Sequence, residues 1–131
     1  MITTEDIALI IAQKVKCFGM ETYIKGHIPF TKGIEKNGRI VVIPKSDDEG
    51  TIFDKCFVEV NFIMSDVNQE ADYRLDEVER EAYSLFRKGW AGKCQGQWYN
   101  LSFSRKSRED DENIKSHYIH FQLLFEILNI L

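Results

Sequence analysis

The chain predicts an α+β fold: a single domain with a mainly antiparallel, twisted sheet and two helices packed on one face, in the order helix, strands, helix, strands. Three observations predict it. Two segments, one at the amino terminus and one in mid-chain, repeat apolar residues at helical spacing. The segments that follow each are short and β-branched or alternate apolar with polar residues. A length of 131 residues suffices for one hydrophobic core and is too short for two. A hydrophobic share of 44% beside 29% charged residues excludes disorder and fibrous repeats.

In "MITTEDIALIIAQKVKCFG" a helix is expected over about residues 4–18. A hydroxyl of Thr3 or Thr4 caps it, Glu5 and Asp6 face its positive end, and Gly19 ends it. Ile7, Ile10, Ile11, Val15 and Phe18 form one stripe, so the helix packs on a core. "ETYIKGHIPF" is extended and aromatic, with Gly26 and Pro29 forbidding a helix, and "TKGIEKNG" is a turn region. "RIVVIPK" is a β-branched run too short for a helix, with Pro44 at its end or on an edge. "SDDEG" is a solvated turn into "TIFDKCFVEVNFIMS", a strand antiparallel to its predecessor. Val58, Val60, Phe62 and Met64 lie on one side of it and Phe57, Glu59 and Asn61 on the other.

The second helix is expected over about residues 68–88, capped by Ser65 or Asp66 and closed by Lys88 and Gly89. Its apolar stripe is Ala71, Leu75, Val78, Ala82 and Leu85. "GWAGKCQG" is then a loop, "QWYNLSFS" a strand, and "RKSREDDENIK" a charged connection into a last strand over about residues 115–128. In that strand Ile119, Phe121, Leu123, Phe125 and Ile127 share one face, while Tyr118, His120, Gln122 and Glu126 share the other. Phe57, Tyr118, Leu124 and Leu128 fall on the less apolar sides of their strands, and a partner subunit is expected to cover that second face.

A formal net charge of -4 argues against a surface built to neutralise phosphates, so nucleic acid is not expected as the primary ligand. Arg105, Lys106 and Arg108 beside Trp98, Tyr99 and Phe103 offer the basic and aromatic company that single strands favour, but the same residues fit a strand and its turn. Cys17, Cys56 and Cys94 are too few and too scattered for a disulfide framework or a zinc knuckle, which points to a reducing cytoplasm and to small buried or boundary residues. No export signal is expected, since acids stand where a basic region is needed. No membrane contact is expected either, because no window approaches the roughly 18–20 uninterrupted apolar residues of a spanning helix.

His117 and His120 invite a metal with His27, but a spacing of three on a strand puts the first two on opposite faces. The acidic runs Asp47-Asp48-Glu49 and Glu109-Asp110-Asp111-Glu112 lack the alternation of a calcium loop, and consecutive acids fan outward; both are expected as solvated turns. "GWAGKCQG" fails as a phosphate loop because Arg87 stands where its first Gly is needed and Cys94 where the magnesium-binding hydroxyl is needed. No catalytic, metal-binding or cofactor-binding residue is therefore assigned, and an enzyme is not expected.

The order of elements resembles the tail-terminator (tail-completion) proteins of long-tailed bacteriophages and prophages, or a related head-tail joining protein. The likeness rests on the amino-terminal helix, the Pro-bounded "RIVVIPK" and the strand-to-helix passage "FVEVNFIMSDVNQEADYRLDEVEREAYSLF". A further strand, a charged loop and the closing "KSHYIHFQLLFEIL" complete it. It implies a homo-oligomer, a hexameric ring on the last ring of the tail-tube protein, which stops polymerisation and offers its other side to a head-completion protein. It implies neither catalysis nor a cofactor. Charge sets register between docked rims. The contacts expected on that ground are Asp47, Asp48 and Glu49 in the 46–50 turn, and Arg105, Arg108, Asp110, Asp111 and Glu112 in the 105–114 loop. The competing expectation is a cytoplasmic α+β enzyme or small-ligand-binding module, with a pocket between sheet and helices around His27, Trp98 and His120.

Overall fold

A reciprocal cap starts the first helix: Asp6 N donates to Thr3 Oγ1 at 3.2 Å and Thr3 N donates to Asp6 Oδ2 at 3.0 Å. A computed structural model of the chain describes residues 2–24, 38–45, 51–52, 54–65, 71–111 and 116–128. In chain order the elements are β1 (Ile2–Thr3), α1 (Thr4–Lys14), a 3-10 turn (Val15–Phe18), β2 (Glu21–Ile24), β3 (Arg39–Lys45), β4 (Thr51–Ile52), β5 (Lys55–Ser65), α2 (Ala71–Lys88), β6 (Trp90–Cys94), β7 (Gln97–Asp111) and β8 (Ser116–Leu128). The first helix is thus α-helical only to Lys14. Its last expected turn tightens to 3-10 geometry, a common way for a helix terminus to satisfy its leftover carbonyls.

The main sheet runs β2-β3-β5-β8-β7-β6, while β1 and β4 form a separate antiparallel ribbon. Among the described residues only β2 and β3 pair in parallel; every other neighbour in the main sheet is antiparallel. Ile40 and Val42 of β3, Val58 to Met64 of β5 at alternate positions, and Ile119 to Ile127 of β8 at alternate positions all point to one face. There they join Ile7, Ala8 and Ile11 of α1 and Leu75, Val78, Ala82 and Phe86 of α2 in a single cluster. Both helices therefore cover the same face, as predicted. Phe62, Phe86 and Phe121 meet at the centre, with ring centroids 5.1 to 6.3 Å apart.

The stripe of α2 closes on Phe86, which is fully buried, whereas Leu85 is only half-buried. Gly89 then turns the chain. Its φ of +65° is left-handed, and a Cβ there would lie 2.8 Å from the Leu101 carbonyl, so both the turn and the close approach require glycine. The expected start of this helix at 68 and its cap at Asp66 lie outside the described residues, and Ser65 is the last residue of β5.

Three expectations are corrected. "GWAGKCQG" is not a loop: Trp90–Cys94 is the edge strand β6, joined to β7 through Gln95 and Gly96. Both of those have positive φ, 49° and 78°, as a tight two-residue hairpin turn requires. Small residues gave the segment a loop-like texture, and its pairing with β7 makes it a strand. "RKSREDDENIK" is not a loop from its start either, because β7 continues through Asp111 and pairs with β8 all the way to Ser116. The β8 ladder holds the charged residues extended, and those from Arg105 to Glu109 are exposed. Finally, "TIFDKCFVEVNFIMS" is not one strand: β4 pairs with β1, and a bend at Asp54 separates it from β5. Asp54 O instead accepts from Ile127 N at 2.8 Å.

Candidate functional site

The sheet face turned away from the helices carries the polar chemistry. Antiparallel register places Asn61, His120 and Ser107 side by side across β5, β8 and β7. Glu59, Gln122 and Arg105 form the row on one side and Ile63, Tyr118 and Glu109 the row on the other. Seven of these residues, Glu59, Asn61, Arg105, Ser107, Glu109, Tyr118 and His120, line an open groove of about 520 Å³ with Lys106.

Hydrogen bonds fix the groove's floor. His120 Nδ1 lies 2.7 Å from Asn61 Oδ1, and with that oxygen as acceptor the Nδ1 carries a proton and donates. The other ring nitrogen, Nε2, lies 3.9 Å from Glu59 Oε1, which also takes Lys45 Nζ at 3.1 Å. Tyr118 OH donates to Glu109 Oε2 at 2.5 Å. Both carboxylates are thus engaged, while nothing among the described residues pairs with Arg105. Ser107 stands opposite His120, but Nε2 faces Glu59, so the contact between nucleophile and base that acyl transfer needs is not formed. The groove can hold a small polar or anionic group beside Arg105.

The residues expected at a contact rim divide. Arg105 faces the groove. Arg108 instead reaches the opposite side of the sheet, where its guanidinium meets Asp76 of α2 at 2.7 Å. Asp110 and Asp111 belong to strand β7, opposite His117 and Ser116. Asp47, Asp48, Glu49 and Glu112 lie outside the described residues, as does His27. Trp98 and His120 do not converge: Trp98 stands opposite Leu128, eight residues along β8 from His120, or about 27 Å at a rise of ~3.4 Å. The expected pocket between sheet and helices around those two residues is therefore corrected to a groove on the outer face.

The aromatic company of the basic stretch disperses in the same way. Tyr99 is buried, and Phe103 packs edge-on against Tyr83 with centroids 5.5 Å apart. Lys106 pairs with Glu79 at 3.3 Å. Among the cysteines, Cys17 is exposed and Cys56 is buried with its thiol 3.1 Å from Lys45 O. Burial, with a smaller contribution from the Asp6 carboxylate, pushes the Cys94 thiol above its ordinary 9.0, which keeps it protonated at neutral pH. Tyr99 is raised above 10.0 by burial and then by Cys94. Among the described residues no three His, Cys, Asp or Glu side chains gather closely enough to hold a metal ion, and no helix is long and apolar enough to cross a membrane.

Strand alternation already put Glu59 with Asn61, and Tyr118 with His120, on common faces. What joins them is the β5–β8 pairing between strands distant in sequence, which no local pattern reports.

No protein-family model matches the chain, and no curated protein matches it. Its fold does match solved structures. One of them, whose name states no function, superposes with a TM-score of 0.58 at 16% identity, covering 98% of this chain and 93% of that one. At that identity the likeness shows a shared fold.

Proposed function

We propose that the chain is a structural subunit of a phage or prophage tail, a tail-terminator or head-tail joining protein without catalytic activity. Six copies would close as a ring on the end of the tail tube and present their other side to a head-completion protein. The observation that supports this most is the outer sheet face. Phe57, Trp98 and Leu128 are 41%, 49% and 41% exposed there. Phe57 stands opposite Leu124 and Trp98 opposite Leu128, so the exposed apolar surface comes as two cross-strand pairs. Such surface on a sheet face marks a contact with another protein. Arg105, facing outward with no ion-pair partner in its own chain among the described residues, supplies charge beside it. The order of elements, which resembles that family over nearly the whole sequence, agrees. A ring requires head-to-tail contacts that close.

The test is mass in solution together with electron microscopy. A species six times the 15.3 kDa chain, or rings seated on tube ends, is the expected result. A stable monomer at micromolar concentration that also leaves tube ends bare overturns the proposal.

One observation favours a second function, binding of a small polar ligand: the groove around His120 and Arg105. Under the assembly proposal His120→Ala leaves ring formation intact, whereas under the ligand proposal it abolishes binding.

A further inference from the structure

Beyond Leu101 the outward edge of β7 has no strand beside it among the described residues, because β6 pairs only with Gln97–Leu101. Ser104 to Glu109, six residues in succession, are all exposed. An open edge is a template for another strand, and proteins guard such edges with bulges and with charges, lysine above all. A bulge is present at Ser104. The charges, however, do not form a guard of one sign: cations come first, at Arg105, Lys106 and Arg108, and acids follow, at Glu109, Asp110 and Asp111.

That arrangement is self-complementary when reversed. Laid antiparallel against a second copy and centred on Arg108, the edge sets Arg105 opposite the partner's Asp111, Lys106 opposite the partner's Asp110, and Ser107 opposite the partner's Glu109. Unlike charges directly across a strand pair stabilise it and like charges destabilise it. A centre one residue earlier opposes Lys106 to Arg108, one residue later opposes Glu109 to itself, and a parallel in-register pairing opposes every charge to its own kind. At the favoured centre only Arg108 meets its like, and its guanidinium is turned to Asp76 of its own chain at 2.7 Å. Odd residues oppose odd ones in this register, so the outer faces of the two sheets run on continuously.

We propose that the open edge of β7, Arg105 to Asp111, binds antiparallel to the same edge of a second copy of this chain and joins the two six-stranded sheets. The contact is isologous and closes at two copies. It goes beyond the ring, which needs heterologous contacts on other surfaces. A seven-residue strand pair buries little area, so the association is weak and salt-sensitive.

Sedimentation velocity from micromolar to near-millimolar concentration tests it with two variants. One carries Arg105→Asp and Lys106→Asp, the other Asp110→Lys and Asp111→Lys. Circular dichroism confirms that each is folded. The wild type is expected to pair two by two through this edge, whether or not the ring also forms, and each variant alone to pair at least about tenfold more weakly. Mixing the two restores a dimer, because every altered pair is again unlike. A wild type that stays at the mass of one chain, or an assembly unchanged in both variants, or folded variants that fail to pair when mixed, overturns the proposal. A six-copy mass that persists in both variants supports the ring and overturns the edge contact. A two-copy mass lost in each variant and restored by mixing supports the edge contact without the ring.

Discussion

The two halves of β7 share a backbone geometry and little else. Up to Leu101 the strand is paired on both sides, by β6 and by β8, and as far as Phe103 its odd-numbered apolar side chains face the core. Tyr99 stacks on Phe125 with centroids 5.0 Å apart, Leu101 is 1% exposed, and Phe103 meets Tyr83 and Phe121. After Ser104 the strand has one neighbour among the described residues, and it meets α2 through ion pairs of partly exposed side chains and through Lys106 over the Tyr83 ring. The bulge makes the transition without changing which side faces the helix. Because Ser104 is an extra residue, Phe103 and Lys106 both point toward α2, and Tyr83 receives the ring of one and, at 5.3 Å, the ammonium of the other. One strand thus serves first as core and then as exposed, charged surface.

The largest expected break in that contrast is Leu101→Ala. Removing a fully enclosed leucine beside the packed Gly89 turn should cost about 2–5 kcal/mol, since the lost burial adds to the cavity left behind. Urea denaturation measures it. A loss of about 1 kcal/mol or less would mean that the first half of β7 is no better packed than the second, and the contrast would fail.

Next in size is a pH effect confined to the first half and to the strand β6 paired with it. Cys94 and Tyr99 have folded-state pKa values raised above 9.0 and 10.0, so the folded chain holds their protons where the unfolded chain has begun to release them. The stability they contribute is fully present below those ordinary values and is lost as pH rises through them toward the raised ones. Urea midpoints followed from about pH 8 to about pH 11 should therefore fall more steeply for the wild type than for Cys94→Ala combined with Tyr99→Phe. Parallel declines would show that neither buried group contributes.

The same division explains what could be read from the sequence. Both helices, the core side of β5 and the core side of β8 were legible because each repeats apolar residues at its own period. The first half of β7 was legible through Tyr99, Leu101 and Phe103 at alternate positions. The second half was not, because Arg105 to Asp111 bury no apolar side chain against the core, and a run of charge looks the same in a strand as in a loop. Its extended form is imposed by β8, and that information is non-local. The β6 edge strand was hidden similarly, by Ala91 and Gly92 between Trp90 and Cys94. The groove shared both obstacles: Glu59 and Asn61 come from β5, Tyr118 and His120 from β8, Arg105 and Glu109 from the charged half of β7.

The smallest expected effect lies in that second half. Arg108 and Asp76 approach to 2.7 Å, but their side chains are 36% and 51% exposed, and Lys106 and Glu79 are 38% and 23% exposed. Water and salt screen pairs of this kind, and holding two long side chains in one geometry costs entropy, so each is worth about 0–1 kcal/mol. A double-mutant cycle of Arg108→Ala with Asp76→Ala should return a coupling inside that range, shrinking further as sodium chloride is raised. The cycle cancels whatever else either side chain touches, which matters because Arg108 also makes other contacts. A coupling of about 2 kcal/mol or more, unchanged by salt, would instead show the second half bound to α2 as firmly as the first half is bound to the core. The edge would then be fixed by its own helix, and an ion pair would be doing at Arg108 what a leucine does at Leu101.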